Sequence, residues 1–297
     1  MANAIFITGA TGNTGQALLR LLVSDDAFRG VPITCLCRPG GRGERLLSFG
    51  VKIAGGDASN AESLKKVYQG EPTVIHISSI FHTSAVLEGC RGMKRLIAVS
   101  STRLFSKTWE RSREIEAAER EIERSGVPYT ILRPTMIYGN SEDRNISKFI
   151  RLIRKYPIVP LPGGGKSIFQ PVHVDDLAGC IVAALKTPAS TGKSYDVPGG
   201  SAHTLREIVD IISGILKKKV LIVPFPLVLA EAAAGFQEKL LARPFIHREQ
   251  IERLREDKQY DFSEAAKDLG YTPRELRAGI EQEIREIALA DDRLSHR

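Results

Sequence analysis

A doubly wound α/β fold, with a parallel sheet covered by helices on both faces, is the prediction for this chain, and three observations carry it. The first is the opening stretch from Ala4 to Gly15, AIFITGATGNTG. A short apolar run stops at Thr8, glycines follow at 9, 12 and 15, and an amphipathic run begins at Gln16. Strand, glycine-rich turn and helix in that order present backbone N–H groups and the positive end of a helix dipole to a phosphate. The second is that short apolar segments keep alternating with helical ones as far as Leu132, the pattern of a parallel sheet. The third is that polar residues collect at the carboxyl ends of those segments: Thr8, Arg38, Asp57, Ser78 and Ser100 to Thr102. Ligands of open parallel sheets lie there.

Taken in order, Ile5 to Thr8 is the first strand, and Leu18, Leu21 and Leu22 give the following helix an apolar stripe. Pro32 to Cys37 is the second strand, with a loop from Arg38 to Gly43 and a short helix around Leu46, Leu47 and Phe49. Val51 to Ala54 is the third, ended by Gly55-Gly56-Asp57, and Ala61 to Tyr68 is helical. Thr73 to Ile77 and Lys94 to Ser100 are the fourth and fifth strands, separated by a short helix centred on Val86-Leu87. A charged helix from Trp109 to Ser125 leads to a sixth strand, Tyr129 to Leu132, which ends at Arg133-Pro134.

Beyond residue 140 the alternation loosens. Asn140 to Asn145 reads as a polar loop, Ile146 to Tyr156 as a helix, and Pro157 to Lys166 as a proline- and glycine-rich connection. Phe169 to Val174 is a short strand, with Asp175 or Asp176 capping the helix that runs through Leu185. Tyr195 to Val197 is a strand, Thr204 caps a helix to Leu216, Lys219 to Val223 is a last strand, and the tail from Arg248 is helical with a turn at Leu269 to Pro273. Residues 1–140 are thus expected to form a dinucleotide-binding domain, and 141–297 a smaller mixed α/β lobe interleaved with the end of the sheet.

Composition sets the outer limits. At 297 residues, 42% hydrophobic and 26% charged, the chain is that of an ordinary globular protein with one large domain and a lobe. The net charge of +7 invites a nucleic-acid reading, but basic and acidic residues are interspersed. Only Lys217-Lys218-Lys219 clusters, in what reads as a solvated turn. No nucleic-acid partner is expected. Cys35, Cys37, Cys90 and Cys180 are spaced neither as a zinc site nor as a disulfide framework, so no metal is expected and a reduced, cytoplasmic protein is. The N-terminus lacks the pattern of a secretory signal. The longest apolar stretch, Val220 to Gly235, is interrupted by Pro224, Pro226 and Glu231, and membrane insertion is not expected.

The motifs together resemble an atypical or extended short-chain dehydrogenase/reductase, close to the NAD-dependent epimerase/dehydratase and NmrA-like group. The resemblance runs through Thr8 to Gly15, Gly56-Asp57, Ile97 to Thr102, Tyr129 to Pro134, Ile137-Tyr138-Gly139 and His173 to Ala178, nearly the whole length. It implies a Rossmann-type fold and, residue by residue, a cofactor site. Gly9, Gly12 and Gly15, with Thr11 and the amides of Asn13 and Thr14, would hold a pyrophosphate. Asp57 would contact the adenine, Ser78 would line the ribose and the cofactor channel, Pro134 to Tyr138 would border the nicotinamide, and Ser100 would also touch the cofactor. His173 to Asp176 reads as a structural turn. About twenty residues past the glycine loop, where NAD-selective sites carry an acid, stands Arg38, with Arg42 nearby. A guanidinium binds a 2′-phosphate bidentately, so NADP(H) is favoured and NAD(H) is the alternative.

The family's proton-transfer set is a Ser or Thr, a Tyr, and a Lys four residues later. Thr102 fits the hydroxyl, but no tyrosine lies between Tyr68 and Tyr129, and the matching segment reads Trp109-Glu110-Arg111-Ser112-Arg113. Indole is no acid–base group, and arginine stays protonated. The leading expectation is an NADPH-dependent oxidoreductase in which Thr102, Lys107, His82 or Tyr138 handles the proton. Its small-molecule substrate would meet Asn140 to Asn145 with Arg144, Gly163 to Lys166 and Pro224 to Leu229, and apolar residues from Pro224 to Phe236 suggest a hydrophobic ligand. The alternative is a dinucleotide-binding sensor or assembly factor without chemistry. A sugar-nucleotide epimerase or dehydratase ranks last, because it needs the tyrosine. Monomer and homodimer both remain open: relatives pair through the helices after the fourth and fifth strands, but Arg111 to Arg124 here is strewn with charges.

Overall fold

The computed structural model describes residues 4–107, 111–143, 145–240 and 251–295. Its framework is a seven-stranded parallel sheet. In chain order the first half gives β1 (Ile5–Thr8), α1 (Asn13–Ser24), β2 (Ile33–Cys37), β3 (Lys52–Gly55), α2 (Ala61–Val67), β4 (Thr73–His76), α3 (Thr83–Gly89), β5 (Arg95–Val99), α4 (Ser112–Arg124) and β6 (Tyr129–Pro134). The second half gives β7 (Ile137–Tyr138), α5 (Ile146–Lys155), β8 (Ile158–Pro162), β9 (Ile168–Phe169), β10 (Val172–His173), α6 (Val174–Lys186), β11 (Lys193–Val197), β12 (His203–Thr204), α7 (Leu205–Ile215), β13 (Leu221–Phe225), α8 (Leu227–Leu240) and two further helices, Ser263–Leu269 and Leu276–Ser295.

Spatial order in the sheet is β11-β6-β5-β4-β1-β2-β3. Because the chain crosses from one side of β1 to the other, the ends of β1 and β4 open a crevice at the point where strand order reverses. Successive side chains of a strand face opposite ways. Ile5 and Ile7 therefore pack with Leu18, Leu22, Leu177 and Ile181 of α1 and α6. Phe6 packs on the other face with Leu64, Val86, Ile115 and Ile122 of α2, α3 and α4. Burial on both faces is why these strands read as unbroken apolar runs.

The lobe has its own core, where Ile150 and Ile153 of α5, Ile208 and Ile212 of α7, and Ile280 and Ile287 of the last helix meet. From the second half of the chain, β11 pairs in parallel with β6 as the seventh strand of the sheet. Three local expectations differ. The cap of α6 is His173, whose Nδ1 accepts from the Asp175 amide at 3.2 Å, and the two aspartates fall inside the first turn. The proline- and glycine-rich connection contains a strand, β8, paired with β13. The last strand and the apolar stretch after it resolve into β13 and the 14-residue α8. No helix among the described residues is long and apolar enough to cross a membrane. Trp109, Arg144 and Arg248 lie outside the described residues.

Candidate functional site

At the end of β1 the chain turns through Gly9 at φ +78°, and a Cβ there would stand 2.6 Å from the Ser78 amide nitrogen. Gly12 caps α1 with extended backbone and no side-chain cap, and the first turn holds no acidic residue. The N-terminal amides of α1 and the positive end of its dipole are thus left for an external anion. Gly15 brings the helix onto the loop, since a Cβ would meet the Ala10 backbone at 2.5 Å. Thr11 is held from behind, its carbonyl accepting from Gln16 Nε2 at 3.1 Å. A cradle that any side chain would fill, at an uncapped helix start, fits a pyrophosphate.

A buried polar cluster floors this loop. Thr8 Oγ1 lies 2.8 Å from His76 Nδ1 and 3.1 Å from Ser78 Oγ, and Ser78 Oγ lies 3.2 Å from the same nitrogen. Burial pushes the His76 pKa down to about 4, so the ring is neutral at neutral pH. His76 escaped the sequence reading. Its signal was a histidine closing an apolar strand in register with Thr8.

At the ends of β2 and β3, Arg38 is exposed, with no ion-pair partner among the described residues. Asp57 Oδ1 accepts from the Ser59 amide and hydroxyl at 2.9 Å each. Those bonds, with smaller contributions from the Arg38 and His82 charges, hold the Asp57 carboxyl below its ordinary range. Arg42, also expected at a 2′-phosphate, instead pairs with Glu142 of the lobe at 3.1 Å, while Arg45 grips both Glu142 oxygens at 2.8 and 2.9 Å. The Asn140–Asn145 loop therefore reaches back across the crevice to the β2 loop.

At the other end of the crevice, Ser100 donates to Glu119 Oε1 at 2.5 Å. Glu119 also takes a forked pair from Arg133, at 3.0 Å from Nε and 2.6 Å from Nη2. This buried linkage between α4 and β6 was not foreseen, and it draws the Ser100 hydroxyl away from the crevice. Thr102 is buried and donates to the Pro134 carbonyl at 3.3 Å. Glu256 accepts from Ser106 Oγ and from the Lys107 amide, both at 2.8 Å, which fastens the turn after β5 to the C-terminal part of the chain.

The four expected proton-handling residues are not brought together. Lys107 is exposed. His82 lies with Asp57 and His76, whose titrations its charge affects. Tyr138 is in the lobe core with its ring 5.2 Å from that of His173, and its hydroxyl packs on Gly279 so closely that a Cβ there would sit 2.0 Å away. Burial drives the Tyr138 pKa upward. Thr102 lies just past the end of β5, against the Pro134 carbonyl. No group of three or more potential metal ligands occurs among the described residues.

A family profile described as NAD(P)H-binding matches residues 9–188, more than half of the chain. Among curated proteins, the chain is 36% identical over 146 residues to the Arabidopsis thaliana "NADH dehydrogenase [ubiquinone] 1 alpha subcomplex subunit 9, mitochondrial", covering 48% of this chain and 36% of the relative. The Dictyostelium discoideum protein of the same name is 26% identical over 223 residues, covering 69% of this chain and 62% of the relative. The chain thus aligns with less than two thirds of either protein's length. Among solved structures, the Bacillus cereus UDP-glucuronic acid 4-epimerase in complex with NAD superposes with a TM-score of 0.76 at 18% identity, covering 97% of this chain and 99% of that one. At that identity the likeness concerns the fold.

Proposed function

Because the chain belongs to the NAD(P)H-binding family, within the atypical short-chain dehydrogenase/reductase superfamily, we propose that it binds the dinucleotide as a ligand and serves as an accessory or assembly protein. One observation carries this reading. The glycine turn and the uncapped start of α1 support a pyrophosphate cradle, while among the described residues no proton-transfer constellation accompanies it. Proton transfer needs a donor within hydrogen-bond reach of the reacting group. Here the Thr102 hydroxyl is turned to the Pro134 carbonyl, and the Tyr138 phenol is shut in the lobe core. The names of the two curated relatives support a role beside a respiratory NADH dehydrogenase. The oxidoreductase expectation loses support from the placement of Lys107, His82 and Tyr138. The four free cysteines are in line with a reducing compartment.

The test is direct. Titration calorimetry with NADPH should give saturable one-to-one binding. The bound NADPH should stay reduced through a panel of aldehydes, ketones and activated alkenes. Repeated turnover of any of them would restore the oxidoreductase reading, and no binding at all would remove both.

Within that reading we take NADP(H) as the preferred cofactor, with Arg38 on the 2′-phosphate. Hydrogen bonds to charged groups contribute about 1.5–3 kcal/mol. Arg38→Ala should therefore weaken NADPH roughly ten- to a hundredfold and leave NADH unchanged. Glu142→Gln should act the other way. It removes the carboxylate that competes for Arg42 and Arg45 and should tighten NADPH severalfold without affecting NADH. Equal responses of the two cofactors to either substitution would overturn the assignment.

A further inference from the structure

The lobe carries an apolar platform that the function above leaves unexplained. β8 and β13 pair in parallel, with Ile158 opposite Leu221, Val159 opposite Ile222 and Pro160 opposite Val223. Partners across a ladder share a face. Val159, Leu161 and Ile222 turn into the lobe core, while Ile158, Pro160, Leu221 and Val223 turn outward, with Leu221 63% exposed. A sheet with one solvated face ordinarily shows polar residues on it. This one is apolar on both.

The same surface continues onto α8 through Phe225, which packs with Ala230, Ala234 and Ile251. The opposite side of α8 carries Val228, Leu229, Phe236 and Leu240, all exposed, with Ala232 and Ala233 filling the spacing between them. Apolar residues thus lie both on the packed side of α8 and on its outer side, with Glu231, Gln237 and Glu238 between them, and an exposed apolar face of this kind marks a surface with a partner.

The rim is basic. Lys217, Lys218 and Lys219 run into β13, Lys155 precedes β8, and all four are exposed. Among the described residues Lys217 is the only non-glycine residue with positive φ, at +52°. The Lys217 amide donates to Gly214 O at 3.2 Å and the Lys218 amide to Ser213 O at 3.0 Å. That left-handed turn holds the triplet at the corner where β13 begins. The Lys218 ammonium reaches the Arg154 carbonyl, and the Lys155 ammonium lies 5.2 Å from the centre of the Tyr156 ring. Arg154 is answered by Asp291 and does not add to the rim.

We propose that this platform docks the protein on the surface of an anionic lipid bilayer. Ile158, Leu221, Val223 and the outer face of α8 enter the interfacial layer, and the lysine rim meets the headgroup phosphates. A second copy is the weaker occupant, because a two-fold contact through this face would bring two lysine rims onto one interface.

Flotation of the full chain with phosphatidylcholine vesicles, with and without phosphatidylglycerol, tests it. Each lysine near an anionic surface is worth roughly fivefold in affinity, so the triple variant Lys217→Ala, Lys218→Ala, Lys219→Ala should lose roughly a hundredfold on the anionic vesicles. The pair Leu221→Ser, Val223→Ser should lose roughly tenfold or more on the same vesicles. Both variants change exposed side chains and should melt with the wild type. The proposal is overturned if the wild-type protein ignores anionic vesicles, or if its binding survives both sets of substitutions. It is also overturned if the platform pair instead abolishes a concentration-dependent dimer seen by light scattering.

Discussion

Replacing Gly12 by alanine is expected to leave the fold standing and to remove dinucleotide binding. Gly12 has φ −77° and ψ 171°, a conformation open to any residue. A Cβ there would meet only Gly9 O, at 3.3 Å. The cost to stability should therefore stay near that of an ordinary surface change, about 0.5 kcal/mol. The added methyl would nevertheless stand at the uncapped start of α1, where the pyrophosphate must come against the amides of Asn13 and Thr14. Affinity should fall at least roughly a hundredfold, about 2.7 kcal/mol.

Gly9→Ala supplies the contrast. At φ +78°, with Ser78 N at 2.6 Å and the Ile77 carbonyl carbon at 2.9 Å, its Cβ strikes backbone that cannot step aside. Strain and overpacking together should cost about 2–4 kcal/mol, so binding and stability are lost in one step. Urea unfolding and calorimetry on both variants separate the cases. A Gly12→Ala protein that binds NADPH normally would show that the pyrophosphate lies elsewhere.

These glycines could be read from the sequence because the constraint is local: a strand, a tight turn and a helix start within fifteen residues. The alternation of β1 to β6 with helices was legible for a related reason, since strands buried on both faces have no polar alternation to confuse the pattern. What stayed hidden depends on partners distant in the chain. Nothing near Ser100 announces Glu119, and nothing near Arg42 announces Glu142, a hundred residues on. β8 was masked by Pro160 and Pro162, which remove amide donors and speak against a strand. They are tolerated because β8 has a single neighbour and needs only one hydrogen-bonding edge. Asp175 and Asp176 drew attention from His173 as the cap because aspartate is the commoner cap. In the structure they favour the same helix end through its dipole, and Asp176 additionally holds Arg274, whose Nε donates at 2.8 Å.

The second large effect concerns Glu283 of the last helix, and Glu283→Gln is expected to stabilise the protein increasingly as pH rises. Glu283 is fully buried in the lobe. Burial, joined by the neighbouring Asp143 carboxylate, pushes its pKa up to about 11. The Asp143 oxygens accept from the Asn145 amide at 2.5 Å and the Ser147 amide at 3.2 Å. In the unfolded chain Glu283 would titrate near the ordinary glutamate value of about 4.3. The folded protein therefore holds one proton more than the unfolded chain from about pH 4.3 upward, until the folded pKa is reached. The contribution of this group to stability is complete below the unfolded pKa and declines through that window as pH rises. The limiting slope is about 1.4 kcal/mol per pH unit. Glutamine keeps the shape and cannot ionise, so the variant escapes the decline. It should match the wild type near pH 4, exceed it by about 3–4 kcal/mol at pH 7, and gain further at pH 9. His76 titrates in the opposite sense, with a folded pKa of about 4. Its contribution falls as pH drops below the ordinary histidine range of about 6.5. It is common to both proteins and cancels in the difference. Urea midpoints at pH 5, 7 and 9 give the result, and a difference constant across the three would mean that Glu283 is ionised in the folded lobe.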